Sequence, residues 1–246
     1  MRAMRFPFVL FVVLVALTAG CPPTSLVGQP CPKAGDEPCE GDALLRCDGN
    51  FYVEIAPCAN QCVAGKPGVT HDKQTLDADE TWACADGPHL VPAAMTVSTG
   101  VTLTIEAGAI VKLQSASKID VPAGARVLSV GDANAPILFT SADGKKSGFG
   151  NGSSGGLNVF AVDTGEPSDV EHTIIERGIH GMGVFAISPT KTPPVVKNNT
   201  LRDITNYGIL VTCDDAATPI PDFAGDGNQF FNDGGDVSAC DVSTLP

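Results

Sequence analysis

Basic residues are scarce in this chain of 246 residues: 15 lysines and arginines face 28 aspartates and glutamates, a net charge of −13. So acidic a surface repels phosphate backbones and argues against nucleic acid as a partner. It suits solubility, cations or basic partners. Aromatics are few, with one tryptophan and two tyrosines. Sugar-binding surfaces often expose such rings, so the shortage weakens a polysaccharide reading without removing it. Beyond the first 20 residues no apolar stripe of helical period with proper caps occurs. The apolar run Phe6 to Leu17, twelve residues interrupted by Pro7, is too short to cross a bilayer comfortably.

That run has the form of a signal peptide, with Arg2 and Arg5 ahead of it. It ends Leu17-Thr-Ala-Gly-Cys21, which resembles the bacterial lipobox, although Thr18 stands where leucine is most usual. The resemblance implies cleavage before Cys21 and a lipid anchor on that cysteine. Each buried CH₂ of an acyl chain such as palmitate holds it to the bilayer by roughly 0.8 kcal/mol. Pro22, in place of an inner-membrane retention aspartate, points to the outer membrane and a surface-exposed lipoprotein. The alternative is an ordinary secretory signal with Cys21 merely nearby.

Nine cysteines leave one unpaired, and a lipidated Cys21 accounts for it. Residues 21–30 read as a proline-rich tether. Residues 31–86 read as a small module held by Cys31, Cys39, Cys47, Cys58, Cys62 and Cys84, whose pairing is open among fifteen connectivities. The run resembles short cysteine-rich modules of secreted bacterial proteins, in which Leu45, Cys47, Gly49, Phe51 and Tyr52 would form the centre. So short a segment needs disulfides in place of a core. A zinc site on Cys58 and Cys62 lacks a second close pair or a histidine cluster. Residues 63–83 read as a charged surface connection, with Trp82 beside Cys84 or plugging the next domain.

From about residue 87 to 246 the chain reads as short strands. Val101, Leu103 and Ile105 alternate with Thr102, Thr104 and Glu106 at period two. Val97-Ser-Thr-Gly100 recurs as Val121-Pro-Ala-Gly124, and Leu103 as Val127, all at a spacing of 24. A fixed period of that size predicts a stacked β architecture. Later, Ile175 matches Leu201 at a spacing of 26, and Gly183-Val-Phe matches Gly208-Ile-Leu at 25. The 26-residue spacing stacks Glu176 on Arg202 and Arg177 on Asp203, two pairs of opposite sign. If exposed, each contributes roughly 0–1 kcal/mol.

The phrases VTLTIEAGAIVKL (101–113) and DANAPILFTS (132–141) resemble the coils of the right-handed parallel β-helix of the pectate-lyase-like superfamily. The fold class is therefore all-β: a short right-handed parallel β-helix of roughly six coils, preceded by the disulfide-rich module. Cys213 and Cys240, 27 residues apart, would fall at equivalent places on neighbouring coils, within disulfide reach. The glycine-rich insertion 143–158 reads as a plain surface loop in preference to a flexible cover over a binding face.

Lyases of that superfamily work with Ca²⁺ on clustered carboxylates and a basic residue, and hydrolases with paired aspartates. The nearest candidates are His172, Glu176, Arg177, His180, Arg202, Asp203, Asp214 and Asp215. Their motifs are mostly missing: neither Trp-x-Asp-His nor Arg-x-Pro occurs, and Asp214-Asp215 follows Ile179-His180-Gly181 in the wrong order. Asp222, Asp226, Asp233 and Asp236 lack the spacing of a known calcium loop and read as solvated turns. No catalytic residue, metal ligand or cofactor is assigned. The function expected is non-catalytic binding or structural display at the cell envelope, toward a polysaccharide or a protein. A polysaccharide lyase or glycoside hydrolase is the alternative.

Overall fold

The computed structural model describes residues 25–32, 39–40, 43–47, 50–57, 68–215 and 217–240. Cys21, Cys58, Cys62 and Gly49 lie outside the described residues.

Three parallel sheets build the larger part. The first joins Val69–Thr70, His89–Val91, Ile110–Leu113, Ile137–Ser141, Thr173–Glu176, Thr200–Arg202 and Gln229–Phe231. The second joins Thr75–Leu76, Met95–Val97, Ile119–Val121, Leu157–Phe160, Met182–Ile187, Tyr207–Cys213 and Gly235–Val237. The third joins Glu80–Trp82, Thr102–Ile105, Arg126–Val130, Asp169–Glu171 and Val195–Lys197. The chain visits the three sheets in turn and returns one rung higher, giving a parallel β-solenoid of about six turns.

Alternation along each strand decides which side chains line the interior. Leu103 and Ile105 are buried, while Thr102 and Thr104 between them are half-exposed. Parallel pairing then stacks like on like. Val111, Phe139, Ile175 and Leu201 form one column in the first sheet. Val121, Val159, Val184 and Val211 form another in the second. Each such side chain contributes about 1.5–3 kcal/mol by leaving water, and together they form one continuous core.

The corners need left-handed backbone. Gly124 has φ 85°, and a Cβ there would lie 2.9 Å from Thr99 Cγ2. At the corner leaving the first sheet, Arg177, Asp203 and Asn232 take φ values of 67°, 55° and 57°. Asp and Asn accept this region more readily than most residues.

Three expectations change. The solenoid begins at Val69–Thr70, which pairs in parallel with His89 and Leu90, so residues 69–86 belong to the first coil and not to a connection. Trp82 is an interior residue of that coil, paired with Ile105. Gly183 pairs with Leu210, not Gly208, and a register shift lies between Val184 and Ile187.

Before the solenoid, Cys39–Glu40, Ala43–Cys47 and Tyr52–Pro57 form an antiparallel sheet. Leu45, Cys47 and Tyr52 are its buried centre, and Phe51 is exposed. Cys31 and Cys47 are bonded across a Cα–Cα distance of 5.6 Å, and Cys84 is also disulfide-bonded. Cys213 and Cys240 are bonded across 5.5 Å, tying strand Tyr207–Cys213 to the segment after Gly235–Val237.

Candidate functional site

The second sheet carries a groove on its outer face. Outward positions there stack as Thr96, Asp120, Asn158 and Gly183. Asn158 Nδ2 donates to Asp120 Oδ1 at 2.8 Å, and Lys118 Nζ lies 2.8 Å from Asp120 Oδ2. Asn158 is wholly buried, because the 151–155 turn folds over it and Gly155 N donates to its Oδ1 at 2.8 Å. Asn151 Oδ1 holds that turn closed, accepting from Ser153 N at 2.9 Å and Ser154 Oγ at 3.0 Å.

Beside this polar row stand Phe160 and Phe185, paired across adjacent coils with ring centroids 5.1 Å apart. Gly183 makes room for the second ring: a Cβ there would lie 2.5 Å from Phe185 Cζ. The resulting cavity, about 320 Å³, is lined by Lys118, Asp120, Ser153, Ser154 and the two phenylalanines, among others. That volume lies at the lower end of ligand-sized clefts. An apolar ring platform flanked by a carboxylate, an ammonium and hydroxyls offers contacts to both the C–H faces and the hydroxyls of a sugar.

The insertion 143–158 is therefore more than a plain surface loop. Phe149 within it is fully buried in the core. A Cβ on Gly156 or Gly178 would lie 2.4 Å from Phe149 Cε2, so both positions must stay bare.

The side chains singled out from sequence gather only in part. Glu176 is buried, not exposed. It accepts from Arg202 Nε at 2.8 Å through Oε2 and from Thr140 Oγ1 at 2.9 Å through Oε1. Arg177 and Asp203 occupy equivalent corner positions and share a cavity of about 400 Å³ with Gly144 and Lys146. Arg177 Nη1 donates to the Gly144 carbonyl, and Asn232 Nδ2 donates to Asp203 Oδ1 at 2.5 Å.

Near that corner, burial raises the Asp233 carboxyl to about 6, with the Asp236 and Asp203 carboxylates adding to it. Asp233 Oδ1 accepts from Ile204 N at 2.9 Å, and Oδ2 is buried with no hydrogen-bond partner among the described residues. Asp143 is lowered to about 2 by the Ser141 hydroxyl and the Lys145 backbone N–H.

The other candidates lie apart. His180 is buried, which lowers it, and accepts the Tyr207 N–H at Nδ1 over 3.4 Å. His172 sits at a left-handed corner with φ 47°. Asp214, beyond the second sheet, pairs with Lys191 at 3.0 Å, and Asp215 closes a turn by accepting Ala217 N at 2.9 Å. Asp222 closes another, accepting Gly225 N at 2.9 Å. Among the described residues no three His, Cys, Asp or Glu side chains converge as metal ligands. Nor is any described helix long and apolar enough to cross a membrane.

Sequence reasoning passed over Lys118, Asp120, Phe160 and Phe185. The available signal was the pair of phenylalanines 25 residues apart, one coil length. No family model matches the chain, and neither a curated protein nor a solved structure matches it.

Proposed function

We propose that the chain is a lipoprotein of the cell envelope, anchored through Cys21 in the outer membrane, whose β-solenoid binds without catalysis. The handedness and superfamily belong to the same proposal: a right-handed helix of the pectate-lyase-like kind. Its ligand is a polysaccharide of the envelope or surroundings, with a protein contact as the other occupant. The observation that carries this reading is the groove, where Phe160 and Phe185 stand beside the Asp120–Lys118 pair. The lipobox-like run ending at Cys21 supports the address.

A second reading, a polysaccharide lyase or glycoside hydrolase, draws on the other corner. There Asp203 shares a cavity with Arg177 and Lys146, and the nearby Asp233 titrates at about 6, in the range of a general acid. One experiment separates the two. The chain is incubated with pectic, alginate and envelope glycans, with and without Ca²⁺, and both retention and new chain ends are measured. Binding without cleavage, weakened roughly tenfold by Phe160→Ala with Phe185→Ala, is the expected result. New unsaturated or reducing ends that vanish in Asp203→Asn establish the enzyme instead, and no retention on any glycan leaves the protein contact.

A further inference from the structure

The first coil closes on a buried ring cluster none of whose residues lines either cavity described above. His71 follows strand Val69–Thr70, His89 opens the next strand of that sheet, and Trp82 ends the third-sheet strand of the same coil. Ring centroids lie 4.1 Å apart for His71 and Trp82, and 5.3 Å apart for Trp82 and His89. Polar atoms run through the stack in one line. His89 Nε2 is 3.0 Å from the Ala83 carbonyl oxygen, and His89 Nδ1 is 3.0 Å from His71 Nε2. His71 Nδ1 is 3.1 Å from Glu80 Oε1, which also accepts from Trp82 Nε1 at 2.7 Å.

The hydrogens can be assigned one by one. A carbonyl only accepts, so His89 Nε2 carries a hydrogen. A neutral imidazole has one N–H, which leaves His89 Nδ1 bare and makes His71 Nε2 the donor to it. A carboxylate only accepts, so the contact of Glu80 Oε1 with His71 needs a hydrogen on Nδ1 as well. Three ring contacts require three hydrogens, and two neutral imidazoles supply two. We infer that His71, His89 and Glu80 form a pH-sensing cluster that takes up one further proton, carried as the His71 imidazolium, at the first coil of the solenoid.

The surrounding charges fit a proton that comes and goes. Glu80 and Asp72 face His71, with Lys73 on the same cavity, while Asp86 and Glu80 face His89. Burial lowers both imidazoles, and the Glu80 carboxylate opposes that at His71, so uptake falls below the ordinary histidine value of 6.5. A cavity of about 180 Å³, lined by His71, Lys73 and Glu80 among others, opens beside His71. When the proton leaves, His71 keeps only one of its two ring contacts. The adjoining two-residue strand is then held through backbone bonds such as Val69 N to Pro88 O and His71 N to Leu90 O, both 2.9 Å.

Trp82, the only tryptophan, reports directly on the cluster, because a protonated imidazole stacked on indole quenches its emission. The intact chain, titrated downward from about pH 8, should lose emission in a single-proton step below the ordinary histidine value of 6.5. Glu80→Gln removes the carboxylate charge that balances the imidazolium and should move the step to lower pH. His71→Phe should abolish it while keeping the stack. Flat emission in the unaltered chain, or a step unchanged in both variants, overturns the cluster. Should neither variant fold, imidazole ¹⁵N shifts of the unaltered chain decide: both His71 nitrogens protonated on the acid side support it, and a bare nitrogen throughout overturns it.

Discussion

The early coils and the late coils solve the same stacking problem differently. Up to Val130 one coil follows the next at 20 to 24 residues, as from Val69 to His89 and from Leu103 to Val127. Outside the first-coil ring cluster, side-chain hydrogen bonds there include exposed corner contacts such as Ser98 Oγ to Asp77 and Thr102 N to Asp79, both 2.8 Å. Beyond, the repeat lengthens to 41 residues from Leu128 to Asp169 and then runs from 25 (Leu157 to Met182) to 29 (Thr200 to Gln229). A buried polar row then runs up the corner before the first sheet. Ser129 Oγ meets Thr173 Oγ1 at 3.2 Å, Thr173 N donates to Asn199 Oδ1 at 2.8 Å, and Asn199 Nδ2 donates to Asn228 Oδ1 at 3.0 Å. Longer corners separate backbone groups from their neighbours, and buried amide side chains replace the missing partners.

The sharpest way to break that comparison is at Asn199. Its Nδ2 also donates to Val170 O at 2.8 Å, and its own N–H reaches Asn228 Oδ1 at 3.0 Å. Asn199→Leu, close in volume, strands the Thr173 N–H and the Val170 carbonyl and should cost roughly 4 kcal/mol in urea unfolding. Leu103→Ala in the early coils should cost roughly 3 kcal/mol through the cavity it leaves. If apolar packing alone held the late coils, leucine at 199 would be neutral, and a neutral result sinks the polar row.

The same contrast sets what was legible in the sequence. Period-two alternation and the 24-residue repeat made the early coils readable, because short corners leave the spacing intact. The excursion through 143–158 breaks the repeat; beyond it the apolar match of Ile175 to Leu201 gives the true register, whereas the glycine match does not. Gly183 and Gly208 look equivalent but are not: Gly183 is bare to admit the Phe185 ring, and Gly208 lies against Phe230. The buried roles of Asn199 and Asn228 have no sequence signal, since nothing local in a sequence marks an amide as buried. The groove was illegible for a related reason. Phe160 and Phe185 look like interior strand residues until the register puts Val159 and Val184 inside.

Next in size is the link that holds the final coil. Cys213 and Cys240 close a loop with a sequence separation of 27. Cys213→Ser with Cys240→Ser should lower stability by about 3 kcal/mol, through the loop entropy returned to the unfolded chain. Hydrogen exchange should place the loss in the strands Tyr207–Cys213 and Gly235–Val237, leaving Thr102–Ile105 protected. Equal loss in both regions would show one cooperative unit and erase the distinction between early and late coils.

The smallest effect separates the two ends by the sign of their response to acid. Burial lowers His71 and His89, so the folded first coil disfavours their protonation. Their contribution is complete above the ordinary value of 6.5 and is lost as pH falls through the lowered ones. Filling the ring contacts does not reverse this, because an unfolded imidazolium is better solvated in water. Asp233 behaves oppositely. Its carboxyl, raised from 3.8 to about 6, is a cost to the folded state at neutral pH that is relieved as pH falls below about 6. Between about pH 7.5 and 5.5 the last coil should gain roughly 0.5 kcal/mol, allowing for solvent screening, while the first coil loses stability. Amide exchange at the two pH values, corrected for intrinsic rates, resolves the ends separately. Asp233→Asn should remove the gain and leave the first coil's loss in place. A shift of both ends in the same direction would mean that neither buried group governs its own coil.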